Sequence, residues 1–125
     1  MPHIVFEYTA DLSPLPDMGE VFKRVHAILD EVAHAKVANS KSRAIPVDSY
    51  VGDGDAMNAF AHLDIRLMEG RSVEAKEEIS SRCLMLLSQT LKDSGACRDL
   101  QITVSVSDLE RATYAKHPPG TIPRL

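Results

Sequence analysis

The sequence predicts an α/β fold of the α+β kind. It is a duplicated β-α-β unit whose four strands form one sheet, with two long helices on one face. Three observations carry this. Apolar patterning runs strand–helix–strand, then strand–helix–strand. A displacement of 59 residues lays Pro2-His3-Ile4 on Ala61-His62-Leu63, Ser13 on Ser72, and Ile45 and Val47 on Val104 and Val106. The halves therefore read as repeats over about 2–57 and 58–109. A strand–helix–strand crossover is right-handed, which makes the two strands of each half parallel in one sheet.

Each element has its own signal. Residues 3–9 are rich in aromatic and β-branched types and predict a strand. Ser13-Pro14 reads as a helix start, a hydroxyl cap followed by proline. Met18, Val21, Phe22, Val25, Ile28, Leu29 and Val32 then recur at spacings of three and four, one apolar stripe. A second strand is expected near Lys41–Val47, with Pro46 placing it at an edge or ending it. Asp48 to Asp55 is a turn-rich loop broken by Gly52 and Gly54. Residues 58–68 alternate Ala61, Leu63, Ile65 and Leu67 with His62, Asp64 and Arg66. After the Glu69-Gly70-Arg71 turn, Ser72 caps a helix whose apolar face carries Val73, Ile79, Cys83, Leu86, Leu87 and Leu91. Gly95 suits its stop. Gln101–Val106 alternates as a fourth strand, and Ser107-Asp108 reads as the cap of a short helical turn. The tail over 115–125, rich in proline, predicts no regular structure. Helices on one side leave the opposite sheet face bare, and a bare face of that size suggests an oligomer.

Composition narrows the function. At 125 residues the chain is expected to be a single domain with a sizeable core. The net charge is −4 with scattered Lys and Arg, which argues against nucleic acid or an anionic membrane as a partner. Pro2-His3 opens directly into structured sequence, and no apolar run reaches membrane-spanning length. Cys83 and Cys97 follow no metal or redox spacing, and Cys83 reads as a core residue. A reducing cytoplasm is the expected location. His3, His62, Glu7 and Asp64 are metal-ligating types, but on strands without ligand spacing they read as exposed or interface residues. No metal and no cofactor is expected.

The chemistry centres on Pro2. Removal of Met1 would leave a secondary amine at the head of a strand. The halves differ where a site would need them to. The first carries Pro2 where the second has Ala61, and the second carries Gly70-Arg71 where the first has Asp11-Leu12. A free α-amine has a reference pKa of roughly 7.7–8.0, within working range for proton transfer. Burial and nearby guanidinium groups, Arg43 and Arg71, would lower it by disfavouring the ammonium form.

The opening Pro-His-Ile resembles the tautomerase superfamily. Leu67-Met-Glu-Gly-Arg-Ser-Val-Glu-Ala-Lys-Glu-Glu-Ile79 is similar to the turn and helix of 4-oxalocrotonate tautomerase. Lys41-Ser-Arg-Ala-Ile-Pro-Val-Asp-Ser-Tyr50, with the length and the fused repeat, resembles the 5-carboxymethyl-2-hydroxymuconate delta-isomerases. The resemblance implies a homotrimer with Pro2 as catalytic acid/base, joined by Arg71 of the Gly-Arg-Ser turn and Arg43 of the second strand. Lys41 stands where arginine is expected in those isomerases; it keeps the charge for substrate binding and loses the bidentate fork. The implied reaction is ketonisation of a 2-hydroxymuconate-type di- or tricarboxylate in aromatic catabolism. Two other readings fit the same residues. One is a ferredoxin-like module that binds a small ligand without catalysis, since topology alone does not choose. The other is a relative that decarboxylates or dehalogenates with the same proline.

Overall fold

The computed structural model describes residues 2–48, 59–95 and 100–117. Strands β1 (His3–Thr9), β2 (Lys41–Val47), β3 (Ala59–Met68) and β4 (Leu100–Leu109) form one sheet in the order β2-β1-β3-β4. β1 and β2 run parallel, as do β3 and β4, and β1 meets β3 antiparallel. Helices α1 (Met18–Ala33) and α2 (Val73–Asp93) are the two crossovers. The duplicated β-α-β architecture is therefore as expected.

Alternation decides which face is filled. Ile4 and Phe6 of β1 and Ala61, Leu63, Ile65 and Leu67 of β3 share one core with Val25 and Leu29 of α1 and Ile79, Cys83 and Leu87 of α2. Fully burying each of the large side chains contributes about 1.5–3 kcal/mol relative to exposure. Cys83 is completely buried, as expected, and its thiol is pushed up to about 11 by loss of solvent. The other face of the sheet carries His3, Val5, Glu7, Arg43, His62, Asp64, Arg66 and the β4 polar residues, and no described element covers it.

Four expectations fail locally, the smallest being Val73, expected on the apolar face of α2 but 61% exposed in its first turn. The first helix does not begin at Ser13-Pro14. It begins at Met18, and Asp17 caps it by accepting from the Gly19 and Glu20 amides at 3.0 and 3.3 Å. Pro16 explains the delay, because a residue preceding proline is pushed out of the α region, and that residue is Leu15. Ser107 and Asp108 do not cap a helical turn. Both lie in β4, and Asp108 pairs with Lys76 of α2 at 3.2 Å.

The fourth failure is the repeat offset on the outer strands. His3 stands beside Lys41, and His62 beside Thr103. β2 and β4 are thus related by 62 residues, although β1 and β3 keep 59. A slip of three reverses the faces. Ile45 accordingly sits 42% exposed on the open face rather than facing the helices as Val104 does. The expected turns of the Asp48–Asp55 loop fall almost wholly outside the described residues, as do Cys97 and the tail beyond residue 117.

Candidate active site

Pro2 precedes β1, and its carbonyl accepts the first cross-strand bond from Lys41 N–H at 3.0 Å. It is buried, like Ile4 and Phe6, and continues their alternation on the helix side. Because β1 and β3 are antiparallel, the start of one lies by the end of the other: His3 faces Arg66. The chain leaves β3 through Gly70, whose φ of 121° suits a residue without a side chain, and turns back at Arg71.

Arg71 is held by backbone. Its Nε and Nη2 each donate to the Ala33 carbonyl at 3.2 Å, and Nη1 donates to the Met68 carbonyl at 3.1 Å. Ala33 ends α1, a helix with no basic residue in its last turn. Arg71 therefore brings to the α1 C-terminus the positive charge its own sequence lacks, across the boundary between the repeats. Two of the five guanidinium N–H donors, one on each terminal nitrogen, remain for another acceptor. Burial, with Arg111 nearby, lowers the Arg71 pKa, and Asp108 opposes that effect.

Arg43 and Lys41 lie on the opposite side. Ser42 points to the helices, where its Oγ meets His26 Nε2 at 2.5 Å, so its neighbours in β2 face outward. There the residues form rows: Lys41–His3–Arg66 nearest the Pro2 end, then Arg43–Val5–Asp64. Arg66 Nε donates to Asp64 at 3.0 Å, and Ser105 donates to the other Asp64 oxygen at 3.0 Å. Arg43 reaches His3 Nδ1 at 3.4 Å, and His3 Nε2 meets the Tyr114 hydroxyl at 2.8 Å. Among the described residues, no carboxylate pairs with Arg43 or Lys41. Loss of solvent, then the charge of Arg43, lowers the His3 pKa. A concavity of about 580 Å³ opens here, bounded by His3, Arg43, Asp64, Arg66 and Tyr114. Among the described residues, no group of three or more His, Cys, Asp or Glu side chains is placed to hold a metal ion.

The sequence profile of the 5-carboxymethyl-2-hydroxymuconate isomerase family matches residues 2–120. The chain belongs to that family. Its relative from Escherichia coli, 5-carboxymethyl-2-hydroxymuconate Delta-isomerase, is 23% identical over 110 residues, 87% of each chain. The structure of a 5-carboxymethyl-2-hydroxymuconate isomerase from Deinococcus radiodurans R1 superposes with a TM-score of 0.77 at 27% identity. It covers 92% of this chain and 87% of that one. A fused 4-OT, solved as a symmetric trimer, matches with a TM-score of 0.73 at 15% identity over 93% of this chain and 92% of that one, a likeness of fold. The resemblance to the 5-carboxymethyl-2-hydroxymuconate isomerases is thus borne out, and the likeness to the fused 4-OT is one of fold.

The four residues that the sequence predicts for a site in this isomerase-family chain reach one end of the sheet in two groups. Pro2 and Arg71 share the helix side; Lys41 and Arg43 share the open side. Tyr114 was invisible to sequence reasoning. It lies past β4, beyond any periodicity, and reaches His3 because the chain turns at Glu110, whose carbonyl accepts from Tyr114 N–H at 3.0 Å. His3 had a signal in the Pro-His pair, but not one that named its partners.

Proposed function

We propose that this family member is a cofactor-independent isomerase that ketonises a 2-hydroxymuconate-type dienol bearing two or three carboxylates, such as 5-carboxymethyl-2-hydroxymuconate. The location would be cytoplasmic and the pathway aromatic-compound catabolism. Pro2, freed of Met1, takes the 2-hydroxyl proton and returns it to a distant carbon of the diene. A neutral amine near pH 7 that becomes a good acid once charged is what this transfer needs. Arg71 holds a carboxylate with its remaining donors and stabilises the dienolate charge. Arg43 and Lys41 bind the further carboxylates.

The sheet separates Arg43 and Lys41 from Pro2 within one chain. We therefore assign them to the site of a neighbouring copy in a homotrimer. The observation that supports the reading most is that Pro2 heads β1 while the anchored Arg71 follows the end of its antiparallel neighbour β3, in a chain matched by the isomerase family from residue 2.

Intact mass tests the precondition: Met1 must be absent, because an acylated proline nitrogen has no basicity. Pro2→Ala should then lower ketonisation by at least about a hundredfold, the usual scale of a general acid/base, with sedimentation and circular dichroism unchanged. Full activity in that variant rejects the reading.

A further inference from the structure

The open-face concavity contains a directed chain of donors. A guanidinium has no acceptor, so in the contact between Arg43 Nη1 and His3 Nδ1 the arginine must donate. His3 Nδ1 is then the acceptor of a neutral imidazole, and the ring proton sits on Nε2. That Nε2–H donates to the Tyr114 oxygen at 2.8 Å, and the two rings meet edge-on at 6.0 Å. The phenol proton is left to point elsewhere, and Arg43 keeps four further donors. These donors border a concavity of about 580 Å³ in which no described carboxylate pairs with Arg43. Arg66, by contrast, is already bound to Asp64.

We propose that His3 and Tyr114 are positioning residues that aim Arg43 at a carboxylate in the open-face concavity, and that they set the preference for dicarboxylate over monocarboxylate ligands. The proposal rests on the reading of Arg43 as a carboxylate-binding group, but not on Pro2. Unsupported, Arg43 is a long side chain beside two other cations, Lys41 and Arg66, and free to leave the concavity. The neutral imidazole gives it a fixed acceptor, and Tyr114 fixes the imidazole in turn.

Charge on His3 would break this chain, because a protonated ring only donates and repels Arg43. The charged and titratable groups that act on His3 are Lys41 and Arg43 from β2, Glu7 on β1, His62, Asp64 and Arg66 from β3, Tyr114, and the chain's N-terminal amine. Solvent loss first, then the charges of Arg43, the N-terminal amine, Lys41 and Arg66, lower its pKa, and the ring is neutral above that pKa.

Calorimetric binding of glutarate, a dicarboxylate that does not react, tests the proposal against butyrate as the monocarboxylate. Arg43→Gln and His3→Phe should each weaken glutarate binding roughly tenfold, the scale of a charge-assisted hydrogen bond, and leave butyrate unmoved. His3→Gln offers an acceptor oxygen and a donor nitrogen, and should restore glutarate binding to within about threefold. Wild-type glutarate binding should weaken as pH falls through the lowered His3 pKa, and more steeply than in His3→Gln, which retains only the protonation of glutarate itself. Nitrogen-15 spectra of the folded wild type should show His3 protonated on Nε2 alone near pH 7.5.

The proposal is overturned by a wild type that does not bind glutarate, by an Nδ1–H tautomer, or by a His3→Phe variant that binds glutarate as tightly as wild type. Equal weakening for glutarate and butyrate also overturns it. Pro2→Ala should bind glutarate normally, so turnover decides the proposed reaction and glutarate binding decides this proposal.

Discussion

Arg71→Met should cost more stability than a substitution at a turn normally does. The loss follows from three hydrogen bonds, two to the Ala33 carbonyl and one to that of Met68. Charge-assisted bonds stand at the upper end of the usual range, but the guanidinium is only half-buried, so about 1 kcal/mol apiece is appropriate. Loss of a cation at the α1 C-terminus adds about 0.5 kcal/mol. Ala33 itself is 4% exposed, so water replaces the lost donors poorly. The sum is about 3.5 kcal/mol, which for a chain of this size lowers Tm by about 13 °C. Arg71→Lys keeps the charge, cannot span both carbonyls, and should lose about half as much. Thermal and urea unfolding at one fixed protein concentration, followed by circular dichroism, measures both variants. An Arg71→Met midpoint within about 0.5 kcal/mol of wild type, the ordinary scatter of surface changes, refutes the clamp. The outcome also governs how kinetics are read: a kcat/KM loss in an Arg71 variant reports on substrate only at temperatures where that variant is fully folded.

His26, bonded to Ser42, has its pKa lowered from 6.5 by burial. The unfolded chain therefore binds the proton first as pH falls, and stability should decline through and just below pH 6.5 until the folded-state pKa is passed. His26→Gln should remove roughly one proton from the slope of unfolding free energy against pH; an unchanged slope rejects the assignment. Thr9 is fully buried, and its hydroxyl has no hydrogen-bond partner among the described residues. Thr9→Val should raise stability by about 1 kcal/mol by removing an unpaired polar group, and a lower urea midpoint contradicts this. In a Cys97→Ser background, the Cys83 thiol, pushed up to about 11, should resist Ellman's reagent at pH 8 until urea unfolds the chain. Rapid reaction of the folded protein excludes it.

Much of the fold was legible because period-two and period-3.6 apolar patterns are direct records of burial. β1, β2 and β3 were read to within a residue, and the Ser72 cap of α2 was found because its hydroxyl serves the Ala75 amide in a local interaction. The misses share a cause: each depends on something beyond one element. Ser13 looked like a cap until Pro16 is weighed with it. The 59-residue displacement held for β1 and β3 but slipped by three between β2 and β4, because the two crossovers differ in length. Pattern matching tolerates that slip, since Ile45 and Val104 are both β-branched or compact apolar residues; hydrogen-bond register does not. The site was legible as residue types and illegible as geometry. Nothing in Gly-Arg-Ser announces that Arg71 reaches a helix end in the other repeat, and no pattern near Tyr114 announces a contact across 111 residues of chain.

Strand parity explains why the proposed site draws on groups from both repeats. Pro2 falls on the helix side because Ile4 and Phe6 do. In β2 the residue on that side near Pro2 is Ser42, and it is engaged by His26. Lys41 and Arg43, one place either way, must face outward, and no rotamer of a strand residue carries its side chain through the sheet. A cation for Pro2's own side has therefore to come from another element. The antiparallel pairing of β1 with β3 provides it, because that pairing brings the turn after β3 to the start of β1, and that turn holds Arg71. The same parity commits Lys41 and Arg43 to a different surface, the one on which His3 and Tyr114 hold Arg43. Moving the cation from residue 43 to 42 would transfer it to the helix side at the cost of the His26 contact. Ser42→Arg with Arg43→Ser should accordingly weaken glutarate binding on the open face by the same roughly tenfold as Arg43→Gln while leaving total charge unchanged.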